Sequence, residues 1–176
     1  MKLVPILAVT LSIIFLCGCK KDKPQEQETP KPSVQNVEFL DEFGRLFVEN
    51  ASNENGEAIL KLFITQGELK ATLTGENIDA TYISIKQAFE ASIQEILPSL
   101  KGATFIKMNM EFCPEPVPVK AGMGFGSGIT FGVDILATDN IRVVANIAGV
   151  EREIKLDALI KVENNWRLFS PIEILP

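Results

Sequence analysis

Apolar residues recur at two different spacings along this chain, and this change of period restricts the fold more than any other feature. Between residues 78 and 100 they follow steps of three and four, which places them on one face of an α-helix. From Ala103 the step becomes two, the spacing of a half-buried β-strand. The apolar positions of the helix are Ile78, Tyr82, Ile85, Phe89, Ile93, Ile96 and Leu100. Helices are therefore expected to precede strands.

Two shorter helices are predicted before this long one. Val37 to Ala51 shows the one-sided apolar spacing of an amphipathic helix, and Ala58 to Ile64 forms a second apolar stretch of helical character. The segment between them, Asn53 to Gly56, is typical of a helix end. The pattern at Leu69 to Leu73 is interpreted as a short irregular strand.

Five strands are predicted after the helices. In the first, Ile106, Met108, Met110 and Phe112 share one face. The other four cover Ile129–Thr138, Ile141–Gly149, Glu153–Val162 and Trp166–Ile174. The expected fold class is α+β, with about three N-terminal helices packed on one face of a curved antiparallel sheet of about five strands.

The closing hairpin, Lys161 to Leu168, is similar to the Lys…Trp-Lys/Arg-Leu ending common in the nuclear transport factor 2-like superfamily, a cystatin-like cone. The resemblance covers Val37 to Leu175 in element order and implies a bent sheet around helices. It implies no single function, because members include isomerases, dehydratases, assembly domains and binding modules. The chain departs from the family by a Pro- and Gly-rich insertion, Pro114 to Gly128, and by lacking the histidine of several family enzymes.

The amino terminus has the pattern of an export signal. Met1-Lys2 precedes 14 residues, Leu3 to Leu16, that only Pro5, Thr10 and Ser12 interrupt. This run suits the apolar part of a signal peptide and is too short to span a bilayer as a lone helix. It ends at Leu16-Cys17-Gly18-Cys19, and charged residues follow.

These four residues resemble the bacterial lipoprotein signal, in which an apolar residue, a small residue and Gly, Ala or Ser precede an invariant Cys. The resemblance implies that residues 1–18 are a signal peptide and that lipid, palmitate among its acyl chains, is attached to Cys19. Cys17 is the competing acceptor, but bulky Leu16 would then stand where the pattern favours a small residue. An ordinary cleaved signal with an incidental cysteine is the alternative.

Residues 19–35 are predicted to be the lipidated cysteine and a disordered tether, because they hold four Lys, three acidic residues and three Pro but one aliphatic residue. Residues 36–176 are predicted to form a single domain. In enteric bacteria an Asp after the lipidated Cys favours the inner membrane, and Lys20 stands there instead. The expected location is therefore the cell envelope, with the periplasm as its compartment and the outer membrane favoured over the inner membrane if the organism has one.

Composition disfavours several functions for the predicted domain. Its 12 basic and 20 acidic residues give a net charge of −8, the opposite of what a nucleic-acid partner requires. The chain has no histidine, which excludes Ser-His-Asp and Cys-His catalysis and the usual zinc sites. We therefore predict no catalytic residue, cofactor or metal. Cys113 is interpreted as a half-buried apolar residue, with a nucleophile or an intermolecular disulfide as the alternative.

Gly122, Gly124, Gly126 and Gly128 alternate with larger residues, without the spacing of a nucleotide-binding loop. This glycine ladder is interpreted as a mobile connection or a strand with a bare face. The functional alternative is a flap that carries Met123 and Phe125 over a pocket mouth or into lipid.

Three functions remain open from the sequence. The first is a non-enzymatic interaction or binding domain, with an envelope protein or a small molecule as partner. The second is a carrier of a small apolar molecule or lipid in an internal cavity. The third is an enzyme that uses carboxylates, with Glu111, Asp134 and Asp157 as candidates that strand alternation places on solvated faces.

Overall fold

The computed structural model describes residues 34–110, 115–126 and 128–175, with side chains from Leu40 onward. Within these ranges the chain forms four helices and eleven strands. In chain order they are α1 (Val34–Ser52), α2 (Gly56–Leu60), α3 (Gln66–Thr72), β1 (Leu73–Thr74), α4 (Ile78–Leu100), β2 (Thr104–Asn109), β3 (Val117–Val119), β4 (Gly124–Gly126), β5 (Ile129–Phe131), β6 (Ile135–Ala137), β7 (Ile141–Ile147), β8 (Val150–Asp157), β9 (Leu159–Val162), β10 (Asn165–Leu168) and β11 (Glu173–Ile174).

The strands form three antiparallel sheets. The first has the order β11-β8-β7-β2, the second β10-β9-β6-β3 and the third β1-β5-β4. The first two are joined by chain continuity, since β6 leads into β7 and β8 leads into β9. Helix α1 packs against β2. In the third sheet, β1 pairs with β5.

One hydrophobic core connects the helices with the sheets. Phe47 of α1 and Phe89 of α4 are fully buried, as are Ile154 and Leu156 of β8. The ring of Phe63 stacks on that of Phe89, with 4.5 Å between the ring centroids. Because these residues come from distant parts of the chain, the core fixes how helices and sheets sit relative to each other.

The predicted long helix is confirmed, since α4 spans Ile78–Leu100 and buries Phe89, Ile93, Ile96 and Leu100. The predicted first helix is also present and extends three residues further toward the amino terminus, to Val34. Both segments carry an apolar stripe long enough to indicate a helix without tertiary information.

The prediction of three helices is wrong, because α3 occupies the segment interpreted as an irregular strand. Thr65 and Glu68 form a capping box at its start. The Glu68 backbone N–H donates to the Thr65 hydroxyl at 3.2 Å, and the Thr65 N–H donates to the Glu68 carboxylate at 2.8 Å. This Thr-x-x-Glu pattern is a helix-start signal that can be recognised from the sequence alone.

The prediction of one curved sheet of about five strands is also wrong. The segment predicted as a strand at Glu153–Val162 is divided into β8 and β9, because Asp157 has a φ of +60°. A left-handed residue turns the strand, so β8 pairs with β7 and β11 while β9 pairs with β6 and β10. The predicted strands at Ile129–Thr138 and Trp166–Ile174 are each divided as well, into β5 with β6 and β10 with β11.

Two further departures lie around the predicted insertion and the first strand. Within the described part of Pro114–Gly128, β3 pairs with β6 and β4 pairs with β5, so this segment contributes to two sheets. In β2 the register shifts between Phe105 and Lys107, and Ile106 is 43% exposed instead of facing the core. A β-bulge of this kind reverses the alternation on which the predicted apolar face depended.

Candidate functional site

Two chain bends lie side by side between the first and second sheets. One is the turn between β6 and β7, at residues 138–140, and the other is Asp157-Ala158 between β8 and β9. Thr138 is buried and joins the bends, since its N–H donates to the Leu159 carbonyl at 2.8 Å and its hydroxyl accepts from the Leu159 N–H at 3.0 Å. Asn140 and Asp157 both have positive φ, 50° and 60°. The bends therefore form one fixed structural unit.

Three buried phenylalanine rings lie beside these bends. Phe125 of β4 meets the ring of Phe131 edge-on, with 5.7 Å between centroids and 82° between planes. Phe125 also lies 6.1 Å, between centroids, from the ring of Phe169, the residue that follows β10. Edge-on and tilted rings at such distances are the favoured aromatic arrangements.

The bends and the rings line one cavity of about 250 Å³, which we call the Asp139 cleft. Its apolar lining includes the three phenylalanines, Ala137 and Ile160, and Met123 from the glycine ladder also contacts it. Its charged lining consists of Asp139, Lys155 and Asp157. An apolar cavity with a few convergent polar groups is the usual form of a small-molecule site.

The charged groups of the Asp139 cleft are unequally paired. The Lys155 ammonium lies 3.3 Å from a carboxylate oxygen of Asp157, whereas Asp139 makes no ion pair with any residue in the described ranges. Burial and the nearby negative charge of Asp157 raise the pKa of Asp139, and the Asn140 N–H and Lys155 oppose this only in part. Asp139 is thus a carboxylate whose surroundings disfavour its charge.

A second, wider groove of about 660 Å³ runs between α3 and the second sheet. Gly67 and Ala71 line one side, and Pro118, Leu136 and Lys161 line the other. It also contains two acidic groups that already have partners. Glu68 lies 2.8 Å from Arg167, and Asp134 lies 2.6 Å from Lys120. This groove is broadly open, so the smaller Asp139 cleft is the better candidate for a ligand site.

The structure places the predicted site residues in different surroundings. Asp134 is exposed, and the Lys120 ammonium and the Ala121 N–H lower its pKa. Asp157 lines the Asp139 cleft. Leu16, Cys17, Gly18, Cys19, Glu111 and Cys113 lie outside the described residues.

The two larger residues of the glycine ladder have separate roles. Phe125 is buried in the core, so it is not available for insertion into lipid as the flap hypothesis required. Met123 is 42% exposed and lies at the Asp139 cleft. Gly124 and Gly126 pair with β5, which makes this part of the ladder a strand.

The sequence analysis missed Asp139, Phe131 and Phe169 as site residues, and it named Phe125 only in the flap hypothesis. Asp139-Asn140 lies between the predicted strands Ile129–Thr138 and Ile141–Gly149 and is a residue pair typical of turns, but this does not show that the turn lies beside Asp157. The rings of Phe125, Phe131 and Phe169 come from three segments that nothing in the sequence brings together.

Comparison of the chain with family models, with curated proteins and with solved structures finds no significant match. Both the lipoprotein signal and the likeness to the nuclear transport factor 2-like superfamily therefore remain predictions. Among the described residues, no helix is long and apolar enough to cross a membrane. The same residues include no group of three or more Asp, Glu, Cys or His placed to hold a metal ion.

Proposed function

We propose that this protein is a lipid-anchored lipoprotein of the cell envelope whose domain binds a small ligand in the Asp139 cleft. The location rests on Leu16-Cys17-Gly18-Cys19 after an apolar run, which supports lipid attachment at Cys19. A single acyl chain binds a membrane only marginally, whereas the two or three chains of a lipoprotein hold it stably. Lys20, in place of Asp, favours the outer membrane.

The observation that supports the binding function is that one cavity combines an apolar floor with a carboxylate that makes no ion pair with any described residue. Phe125, Phe131 and Phe169 offer aromatic surface, and Asp139 offers a charged hydrogen-bond acceptor. At about 250 Å³ the cleft lies just below the roughly 300–1,000 Å³ of sites for drug-sized molecules. The size fits a small molecule and is too small for a whole phospholipid.

A second candidate is the carriage of a small apolar molecule, which the three phenylalanine rings favour. An apolar cargo would use the floor of the Asp139 cleft and leave Asp139 at its mouth without a partner. An envelope protein as the main partner is the remaining alternative, and this partner would be recognised at the surface of the domain.

Filling the cleft tests the proposed function. Ala137 is buried and lines the Asp139 cleft, whereas its strand neighbour Leu136 lines the wider groove, so the side chain of Ala137 faces the cleft and Ala137→Phe should place a ring in it. Full-length wild type and variant are purified from membranes and extracted with organic solvent, and the extracts are compared by mass spectrometry. We expect a small molecule that co-purifies with wild type to be reduced at least about tenfold in the variant.

The matched control is Leu136→Phe, at the neighbouring position of the same strand, where the side chain lines the wider groove instead. This variant should retain the molecule. Equal recovery from the wild type, Ala137→Phe and Leu136→Phe proteins would contradict binding in the Asp139 cleft.

A further inference from the structure

The geometry points to a small organic amine as the ligand of the Asp139 cleft, with its ammonium group at Asp139 and Asp157 and its apolar body on the phenylalanine rings. This inference rests on the proposed function and adds the chemical class of the ligand. It derives from two independent features of the cleft, which are the balance of charge at its mouth and the chemistry of its floor.

The charge at the mouth favours a cation. Two carboxylates, Asp139 and Asp157, face one ammonium group, that of Lys155, and the ammonium is paired with Asp157. The carboxylate of Asp139 therefore has no ion pair with any described residue, and at the mouth of the cleft it lies near the second negative charge, that of Asp157. A ligand ammonium would neutralise this excess, whereas a carboxylate or phosphate ligand would increase it.

The apolar floor of the Asp139 cleft determines the chemistry of the remaining part of the ligand. Phe125, Phe131 and Phe169 present carbon surface that offers no hydrogen-bond partner, so a ligand with polar groups along its whole length would lose solvation there. A fully apolar molecule would bind the rings but leave the charge of Asp139 without an ion-pair partner. An amine with one aromatic or short alkyl body satisfies both parts, and the volume of about 250 Å³ restricts it to a small one.

Three probes of nearly equal size and different charge test the inference. They are 2-phenylethylamine, 2-phenylethanol and 3-phenylpropionate, which are a cation, a neutral molecule and an anion at neutral pH. Their affinities are measured by calorimetry on the full-length protein in phosphatidylcholine nanodiscs, with empty nanodiscs subtracted. The amine should bind at least about tenfold tighter than the alcohol, because a hydrogen bond to a charged group is stronger than one between neutral groups. The anion should bind weakest.

The variant Asp139→Asn should remove the preference for the amine, lowering its affinity about tenfold while the affinity for 2-phenylethanol stays within about twofold. Retained binding of the alcohol shows that the cleft is intact. Asp157→Asn, as a second variant, should also weaken the amine. The matched control is Asp79→Asn, since Asp79 is an exposed carboxylate paired with Lys70 and lies outside the cleft.

Two outcomes would overturn the inference in different ways. If wild type binds the amine and the alcohol equally, Asp139→Asn changes neither affinity and Ala137→Phe weakens both, the ligand class is wrong while binding in the cleft stands. If none of the three probes binds, both the ligand class and the proposed function fail.

Discussion

Glu68 connects the start of α3 with the last hairpin. Its carboxylate accepts from the Thr65 N–H at 2.8 Å and from the Arg167 guanidinium at 2.8 Å, and its side chain is 21% exposed. Burial alone would raise the pKa of Glu68, but the hydrogen bonds from Thr65 and Arg167 together outweigh it and hold this pKa below its ordinary range. The ionised carboxylate is thus favoured by folding.

The lowered pKa of Glu68 predicts how stability depends on pH. A carboxyl group whose pKa is depressed by folding contributes stability above its unfolded pKa, and this contribution is lost as the pH falls through the folded pKa. Glu68→Gln should therefore cost about 1 kcal/mol in the free energy of unfolding at neutral pH, and the difference from wild type should shrink below about pH 4.

Urea unfolding at several pH values measures this difference. Glu76→Gln is the matched control, because Glu76 is exposed, and it should leave the free energy of unfolding nearly unchanged at every pH. A Glu68→Gln penalty that is independent of pH would show that the carboxylate charge makes no contribution.

At the scale of secondary structure, the local pattern of apolar residues was sufficient to predict α4 but not to predict where the strands begin and end. The apolar stripe of α4 repeats over 23 residues, so its period is unambiguous. The break between β8 and β9 depends on the left-handed backbone of Asp157. A non-glycine residue with positive φ is difficult to predict from a sequence, because such residues are uncommon. The division of the predicted strand Glu153–Val162 between two sheets was missed for this physical reason.

The third sheet makes a prediction at the same scale. Gly75 follows β1 with a φ of +136°, and a Cβ atom there would lie 2.7 Å from the carbonyl oxygen of Gly128. Gly75→Ala should lower the free energy of unfolding by about 1–3 kcal/mol, since it adds both backbone strain and a clash with backbone. Denaturant unfolding of the full-length protein measures the change.

Gly67→Ala is the matched control within the neighbouring helix. Gly67 lies inside α3, where a Cβ atom meets nothing within 4 Å, so alanine should stabilise the protein by about 0.5–1 kcal/mol. Equal stability of wild type and Gly75→Ala would contradict the close approach of Gly75 to Gly128.

At the scale of the whole molecule, the origin of the residues that line the Asp139 cleft explains why the sequence did not predict the candidate site. Its lining comes from β3, β4, β5, β6, β8, β9, the residue before β4 and the segments that follow β6, β8 and β10. Asp157 was considered as a candidate catalytic carboxylate. That Asp139 lies beside it is apparent only from the fold, in which the two bends are adjacent. The proposed membrane anchor is the reverse case, because its prediction rests on residues adjacent in the chain, the apolar run Leu3 to Leu16 and the sequence Leu16 to Cys19.

The central proposal is that an acidic domain is held at a membrane by lipid on Cys19. Mass spectrometry of the N-terminal peptide of the native protein tests this claim most directly, with Cys17→Ser and Cys19→Ser as variants. We expect wild type and Cys17→Ser to begin at Cys19 with a diacylglyceryl group on its sulfur, and Cys19→Ser to carry no lipid. An unmodified Cys19 in the native protein, or a Cys19→Ser protein that is processed and held at the membrane like wild type, would contradict the claim.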